Sequence, residues 1–158
     1  MITVLKEAFA LLPAKMTTPA AGQMVLSIVF QESDGIYRRQ HGNGPARGLA
    51  QFELGNKVSR AGVWGVMNHD ASKALAAEIC IKRGVDPKNF KAVWSALEYD
   101  DVLNFALARL LLWTDSQPLP TQQSVGWDTY LRVWGPGKPH PEKWPASWAT
   151  AQGVMDGR

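Results

Sequence analysis

The chain has 158 residues, of which 46% are hydrophobic and 20% charged, and its net charge is +3. This length predicts one domain with a sizeable core, and the composition is typical of a globular protein. The apolar stretches are too short to span a bilayer, and the basic residues are scattered, so neither a membrane span nor nucleic-acid binding is predicted. The single cysteine, Cys80, excludes an internal disulfide framework.

The apolar pattern and the helix-start signals predict a mainly helical chain. Thr18 followed by Pro19 is typical of a helix N-cap and first position, and the almost wholly apolar segment 101–113 indicates a buried central helix. The predicted helices cover residues 1–12, 19–33, 70–82, 86–97, 101–113 and 127–133. Segments rich in Gly and Pro predict loops at 35–50, 116–121 and 134–145, with at most a small β-hairpin within 35–53. We therefore expect a single all-α domain over residues 1–158.

One charged residue interrupts the apolar face of the helix predicted at 19–33. The face consists of Val25, Ile28 and Val29, and Glu32 occupies its next position. Burial there would raise the pKa of Glu32 and preserve its proton near neutral pH, which is the property of the general acid in glycosidases. The alternative is a structural glutamate that pairs with Arg38 or Arg47, or that accepts hydrogen bonds from backbone amides.

The order of short motifs supports the catalytic interpretation. Glu32-Ser33, a loop and then Gly48-Leu49-Ala50-Gln51 resembles the lysozyme-like superfamily, in particular the branch of soluble lytic transglycosylases and goose-type lysozymes. The family pattern is Glu-Ser and then Gly-Leu-Met-Gln, so Ala50 replaces a methionine. The segment 101–112 is similar to the family's following helix, and 133–137 is similar to its Tyr-Asn-Ala-Gly-Pro turn. The resemblance implies a lysozyme-like fold and cleavage of peptidoglycan between N-acetylmuramic acid and N-acetylglucosamine.

The resemblance also implies roles for individual residues. Glu32 matches the catalytic acid, Ser33 matches the serine that helps to hold this region, and Gln51 matches the glutamine that lines the groove. Trp134 stands where the family usually has a late tyrosine, and Tyr130 lies one turn earlier. Either Tyr130 replaces that tyrosine or Trp134 stacks on the sugar. The predicted substrate-binding residues are therefore Ser33, Gln51, Tyr130 and Trp134.

The type of reaction depends on a second catalytic group. A hydrolase needs a second carboxylate, whereas in a lytic transglycosylase the substrate's own 6-hydroxyl attacks. Glu53 shares a face with Gln51 if their segment is extended, and it is the candidate for the second carboxylate. The alternative is a solvated glutamate or a structural partner for Arg47.

The remaining polar residues give weaker signals. Arg38, Arg39 and Arg47 either meet anionic groups of the substrate or pair with nearby acids. The three histidines, His41, His69 and His140, do not have the spacing of metal ligands, so no metal site is predicted, and no cofactor is expected.

The leading hypothesis is a monomeric peptidoglycan-cleaving enzyme that acts on glycan strands. Residues 1–12 resemble a signal peptide only weakly, because Lys6 and Glu7 interrupt the apolar run. We therefore expect a bacteriophage lysin that is made in the host cytoplasm and reaches the cell wall through a holin or with the virion. Two alternatives stay open: a non-catalytic glycan-binding or virion structural protein with the same fold, and a chitinase-like hydrolase of a related β-1,4-linked polymer.

Overall fold

The computed structural model describes residues 1–158 and contains eight α-helices and no β-strand, which confirms the predicted all-α class. The helices are α1 (Ile2–Ala10), α2 (Pro19–Ser33), α3 (Gly62–Asn68), α4 (Lys73–Lys82), α5 (Phe90–Ala96), α6 (Asp101–Trp113), α7 (Gln123–Trp134) and α8 (Trp144–Met155). None of them combines the length and the hydropathy that a membrane crossing requires. The hairpin expected within 35–53 is reduced to two isolated antiparallel bridges, Arg39–Arg47 and Arg47–Phe52.

The helices with strong local signals begin and end where the sequence predicts. The Thr18 hydroxyl caps α2 by accepting a hydrogen bond from the Ala21 amide, and the Asp100 carboxylate caps α6 in the same way. Three other predicted starts are wrong: α4 begins after Ser72, α5 begins after Asn89, and α7 begins at Gln123 and not at residue 127.

Two helices, α3 and α8, lie in segments for which no helix was predicted. Both carry residues that weaken the helix signal: α3 contains two glycines, and α8 begins with Trp144-Pro145. Proline is tolerated in the first turn of a helix because the amide there has no intrahelical partner. These helices depend on packing more than on propensity.

Helix α6 runs through the centre of the fold, and its residues 102–112 are all buried. Helix α2 packs against α6 and, most extensively, against α8, while α1 covers another face of α6. Cys80 is a buried residue of α4, as expected of a small hydrophobic side chain. The C-terminal end of α2, which carries Glu32, is therefore held between the central helix and the last helix.

The segment after α2 turns back onto α6 through residues 47–52. The backbones of Arg47 and Phe52 exchange two hydrogen bonds of 2.9 and 2.8 Å. The Asn104 side chain of α6 accepts a third from the Ala50 amide at 3.0 Å. Gly48 has a φ of +72°. A Cβ at this position would overlap the backbone carbonyl of Leu97 and the side-chain amide of Asn104. Only glycine allows this close approach of the turn to α6.

We predict that Gly48→Ala lowers the free energy of unfolding by about 3 kcal/mol, since it adds a steric overlap to the strain of a positive φ. Gly42→Ala is the matched control: its φ is +69°, but no atom lies within 4 Å of the added Cβ. It should cost only about 1 kcal/mol. Chemical denaturation measures both values, and equal losses would contradict the close approach.

Candidate active site

A groove of about 940 Å³ lies where the end of α2, the 47–52 turn, the start of α3 and the end of α7 meet. The segment 135–143, which joins α7 to α8, forms part of its wall. Five of the six predicted site residues line it: Glu32, Gln51, Glu53, Tyr130 and Trp134. The fold thus brings together side chains that are up to 102 positions apart in the chain (134 − 32).

Glu32 lies in the last turn of α2 and is partly buried. Its Oε1 accepts a hydrogen bond of 2.6 Å from the Tyr130 hydroxyl. Desolvation by burial is the largest influence on the pKa of Glu32 and raises it above the ordinary value of 4.5. The Tyr130 hydrogen bond and the charge of Lys143 offset part of that rise, whereas the charge of Glu53 adds to it. The carboxyl group therefore holds its proton more tightly than an exposed glutamate does.

No ion pair holds the carboxylate of Glu32, so the structural alternative involving the loop arginines is wrong. Arg38 forms a two-pronged pair with Asp101, with distances of 2.9 and 2.6 Å. Arg39 binds Glu98 in the same manner, and Arg47 lies 3.4 Å from the same carboxylate. Arg47 also packs over the Trp94 ring at 4.4 Å. Of the two alternatives for these arginines, the structure shows pairing with nearby acids.

Tyr130 provides the neutral hydroxyl group that donates a hydrogen bond to Glu32. Its ring stacks on Trp144 of α8 at a centroid distance of 5.3 Å and lies 5.2 Å from the Trp127 ring. Burial and the neighbouring charge of Glu32 raise the pKa of the Tyr130 hydroxyl, so the phenol stays protonated. Of the two candidates for the role of the late tyrosine, Tyr130 is the one that contacts the acid.

Trp134 contacts the 47–52 turn, and part of its ring faces the groove. Its Nε1 donates a hydrogen bond of 2.9 Å to the carbonyl of Ala50, and its ring meets Phe52 edge-on at 5.7 Å. The ring is only partly buried, so part of its surface stays available for a ligand.

Ser33 does not line the groove, in contrast to its prediction as a substrate-binding residue. It is 2% exposed, and its hydroxyl lies 2.7 Å from the carbonyl of Leu49 and 3.0 Å from that of Val29. The hydroxyl joins the end of α2 to the 47–52 turn. Ser33 therefore positions the groove and does not contact a ligand.

Gln51 lines the groove in a strained backbone conformation, with a φ of +52°. Its side-chain nitrogen donates to the carbonyls of Gly48, at 2.8 Å, and Tyr37, at 3.3 Å. Its side-chain oxygen has no protein partner and can accept a hydrogen bond from a ligand hydroxyl. Strain of this kind is often found at binding sites, where the surrounding structure enforces it.

Glu53 is exposed and lines the same groove as Glu32. Arg47, which one alternative paired with Glu53, pairs with Glu98 instead. The Glu53 carbonyl accepts a hydrogen bond of 3.0 Å from the Val63 amide, which fixes the backbone beside the start of α3. The side-chain carboxylate makes no hydrogen bond or ion pair and is free to act on a ligand or a water molecule.

Sequence reasoning missed the residues that connect α8 to the end of α2. The Gln31 side chain donates to the carbonyl of His140 at 3.0 Å and accepts from the hydroxyl of Ser147 at 3.0 Å. Lys143 donates to the carbonyl of Gln31 at 2.8 Å and pairs with Asp34 at 2.9 Å. The one available signal was Gln31, a polar residue that directly follows the largely apolar run of residues 24–30.

No protein-family model, no curated protein and no solved structure matches this chain. The groove contains one desolvated carboxyl group with a raised pKa, one free carboxylate, a neutral phenol donor and an unpaired amide oxygen. These groups can donate a proton, activate water or a hydroxyl, and bind a polar ligand.

We predict that Glu32→Gln stabilises the protein near neutral pH. Because the pKa of Glu32 is higher in the folded state, the folded protein binds the extra proton, and stability falls as pH rises from 4.5 through the raised pKa. The neutral amide avoids that loss, and we expect a melting temperature roughly 2–5 °C higher. The gain should vanish below pH 4.5, where both side chains are neutral.

Thermal unfolding at several pH values measures this difference. Glu53→Gln is the control, because an exposed carboxylate without a partner should change stability by less than about 0.5 kcal/mol. A Glu32→Gln variant that is less stable than the wild type at neutral pH would contradict the desolvation of Glu32.

We predict that Tyr130→Phe raises the pKa of Glu32 further and lowers stability by about 1–2 kcal/mol, since it removes a short hydrogen bond to a carboxyl group. NMR titration of the glutamate side-chain carbons and chemical denaturation measure the two effects. Tyr37→Phe is the control, because the Tyr37 hydroxyl makes no hydrogen bond within the chain and Tyr37 is 44% exposed. An unchanged titration of Glu32 in Tyr130→Phe would show that the bond is absent in solution.

Proposed function

We propose that this protein is a glycosidase that cleaves the β-1,4 bond between N-acetylmuramic acid and N-acetylglucosamine in peptidoglycan. The observation that carries the proposal is the Glu32 carboxyl group. It lines the groove, accepts a hydrogen bond from the Tyr130 hydroxyl and forms no ion pair. Because its pKa is raised by burial, such a group holds its proton more tightly than an exposed glutamate and can transfer it to the oxygen of a departing sugar. The resemblance of Glu32-Ser33 and Gly48–Gln51 to the lysozyme-like superfamily points to the same reaction.

The lining of the groove suits a glycan ligand. Aromatic rings such as those of Trp134 and Tyr37 offer flat surfaces for the apolar faces of sugars, and the Gln51 oxygen offers a hydrogen-bond acceptor. Lys138 lines the groove without an ion-pair partner and would attract the carboxylates of peptidoglycan. Chitin carries no such carboxylates, so this lysine favours peptidoglycan over the chitinase alternative. The proposed place of action is the bacterial cell wall, for a lysin of phage origin.

The proposed reaction begins with proton transfer from Glu32 to the glycosidic oxygen as the bond between that oxygen and the anomeric carbon breaks. The positive charge that develops on the sugar is then quenched in one of two ways. Glu53 removes a proton from water, whose oxygen bonds to the anomeric carbon and gives a reducing end. Alternatively the 6-hydroxyl of the same sugar attacks, Glu32 takes its proton, and a 1,6-anhydro ring forms.

We predict that Glu32→Gln lowers the rate of cell-wall cleavage by about 100-fold or more, because the amide cannot donate a proton to the leaving oxygen. Loss of turbidity of purified peptidoglycan measures the rate, and circular dichroism checks the fold. Glu78→Gln is the control, since Glu78 is exposed on α4 and pairs only with Lys82. It should leave the rate unchanged.

Two results would contradict this proposal. Undiminished cleavage by Glu32→Gln would exclude Glu32 as the acid, and a wild-type protein that binds walls without releasing fragments would indicate a non-catalytic glycan-binding protein.

Mass spectrometry of the released fragments identifies the second step of the reaction. Anhydro ends together with an active Glu53→Gln variant indicate a transglycosylase, whereas reducing ends together with an inactive Glu53→Gln variant indicate a muramidase.

A further inference from the structure

Lys143 contacts the chain on both sides of Glu32. Its Nζ donates a hydrogen bond of 2.8 Å to the carbonyl of Gln31, the residue before Glu32. The same ammonium group lies 2.9 Å from Oδ1 of Asp34, two residues after Glu32. The Lys143 side chain is 33% exposed and lines the groove. One positive charge is thus fixed beside the proposed acid.

We propose that Lys143 is a positioning residue for Glu32: it fixes the last turn of α2 and stabilises the carboxylate that remains after proton transfer. This inference rests on the proposed function. A general acid becomes negative as it gives up its proton, and a fixed ammonium group lowers the energy of that charge in a groove partly shielded from water. The proton itself still comes from Glu32.

The backbone carbonyl groups at the C-terminal end of α2 favour binding of a cation. The last carbonyls of a helix have no intrahelical partners, and they carry the negative end of the helix dipole. The carbonyl of Gln31 is one of these groups, and Lys143 is its hydrogen-bond donor. Asp34, which ends α2 with a φ of +55°, supplies the second contact. The ammonium group therefore fits this helix end independently of any substrate.

The segment around Lys143 is itself held against α2. Gln31 binds the carbonyl of His140 and the hydroxyl of Ser147, each at 3.0 Å, so contacts before and after Lys143 fix it. Lys143 is also the N-cap residue of α8, directly before its first residue. These contacts limit the movement of the ammonium group, and a charge that does not have to reorganise stabilises a carboxylate more effectively.

The other groups that face Glu32 cannot replace Lys143. Tyr130 is neutral, and Glu53 carries the wrong sign. His140 is mostly exposed, and its Nδ1 lies 3.1 Å from the carboxylate of Glu142. Only Lys143 combines a permanent positive charge with direct bonds to the helix that carries the acid.

The test compares Lys143→Gln, which keeps a hydrogen-bond donor but removes the charge, with Lys143→Arg, which keeps the charge. Two quantities are measured: the pH profile of peptidoglycan cleavage and the NMR titration of Glu32. In Lys143→Gln we expect the titration and the alkaline limb of the profile to move to higher pH, and the rate to fall about tenfold. Lys143→Arg should restore most of both. Lys138→Met, which removes a lysine without bonds to α2, should leave the Glu32 titration unchanged.

A second variant tests the same charge without altering Lys143. Asp34→Asn removes the partner of the ammonium group, so the potential at Glu32 becomes more positive and its titration should move to lower pH. A loss of rate in Lys143→Gln without any movement of the Glu32 titration would overturn the inference. The titration needs no substrate, so it decides the inference even if the wild type released no fragments and the proposed function failed.

Discussion

The hydrogen bond between Tyr130 and Glu32 is the interaction on which the rest of the groove depends. It joins the end of α2 to α7, and α8 supports it because the Trp144 ring stacks on Tyr130. A carboxyl group removed from water needs a partner, and the kind of partner decides its chemistry. An arginine would hold the group ionised, whereas a phenol satisfies it in either protonation state. The fold therefore satisfies the hydrogen bonding of a partly buried acid and leaves it able to donate its proton.

Such an acid lowers the stability of the folded protein near neutral pH, and the surrounding contacts offset that effect. The packing of α2 against α8 is the most extensive between any two helices, and Gln31 binds both Ser147 of α8 and the carbonyl of His140 in the segment before it. Opposition between stability and activity is common at catalytic sites, where the groups that react are seldom the groups that stabilise. Here the two tasks fall to adjacent residues, because Glu32 stays without an ion pair while Gln31 and Ser33 hold the helix end.

The sequence predicts those features whose causes are local. The cap of α2, the bounds of α6 and the acid on an apolar face can be read within a few residues, and all three lie as predicted. The other features depend on distant partners: Lys143 meets a carbonyl 112 positions away, and α8 forms against α2 despite its weak helix pattern. Ser33 illustrates the limit most clearly. Its motif implies both that it helps to hold this region and that it binds substrate, but only the fold shows that its hydroxyl binds the backbone of Leu49 and that it does not line the groove.

The arginines of the loop after α2 explain why the groove carboxyl groups stay unpaired. Arg38, Arg39 and Arg47 follow Glu32 closely in the sequence and could have bound it. Asp101 and Glu98, at the start of α6 and just before it, bind all three instead. This pairing anchors the loop to the segment around the start of the central helix. It also occupies the arginines that would otherwise be available to form ion pairs with Glu32 and Glu53. The distribution of charge between two separate regions of the fold, and not any single residue, leaves the two groove carboxyl groups without an arginine partner.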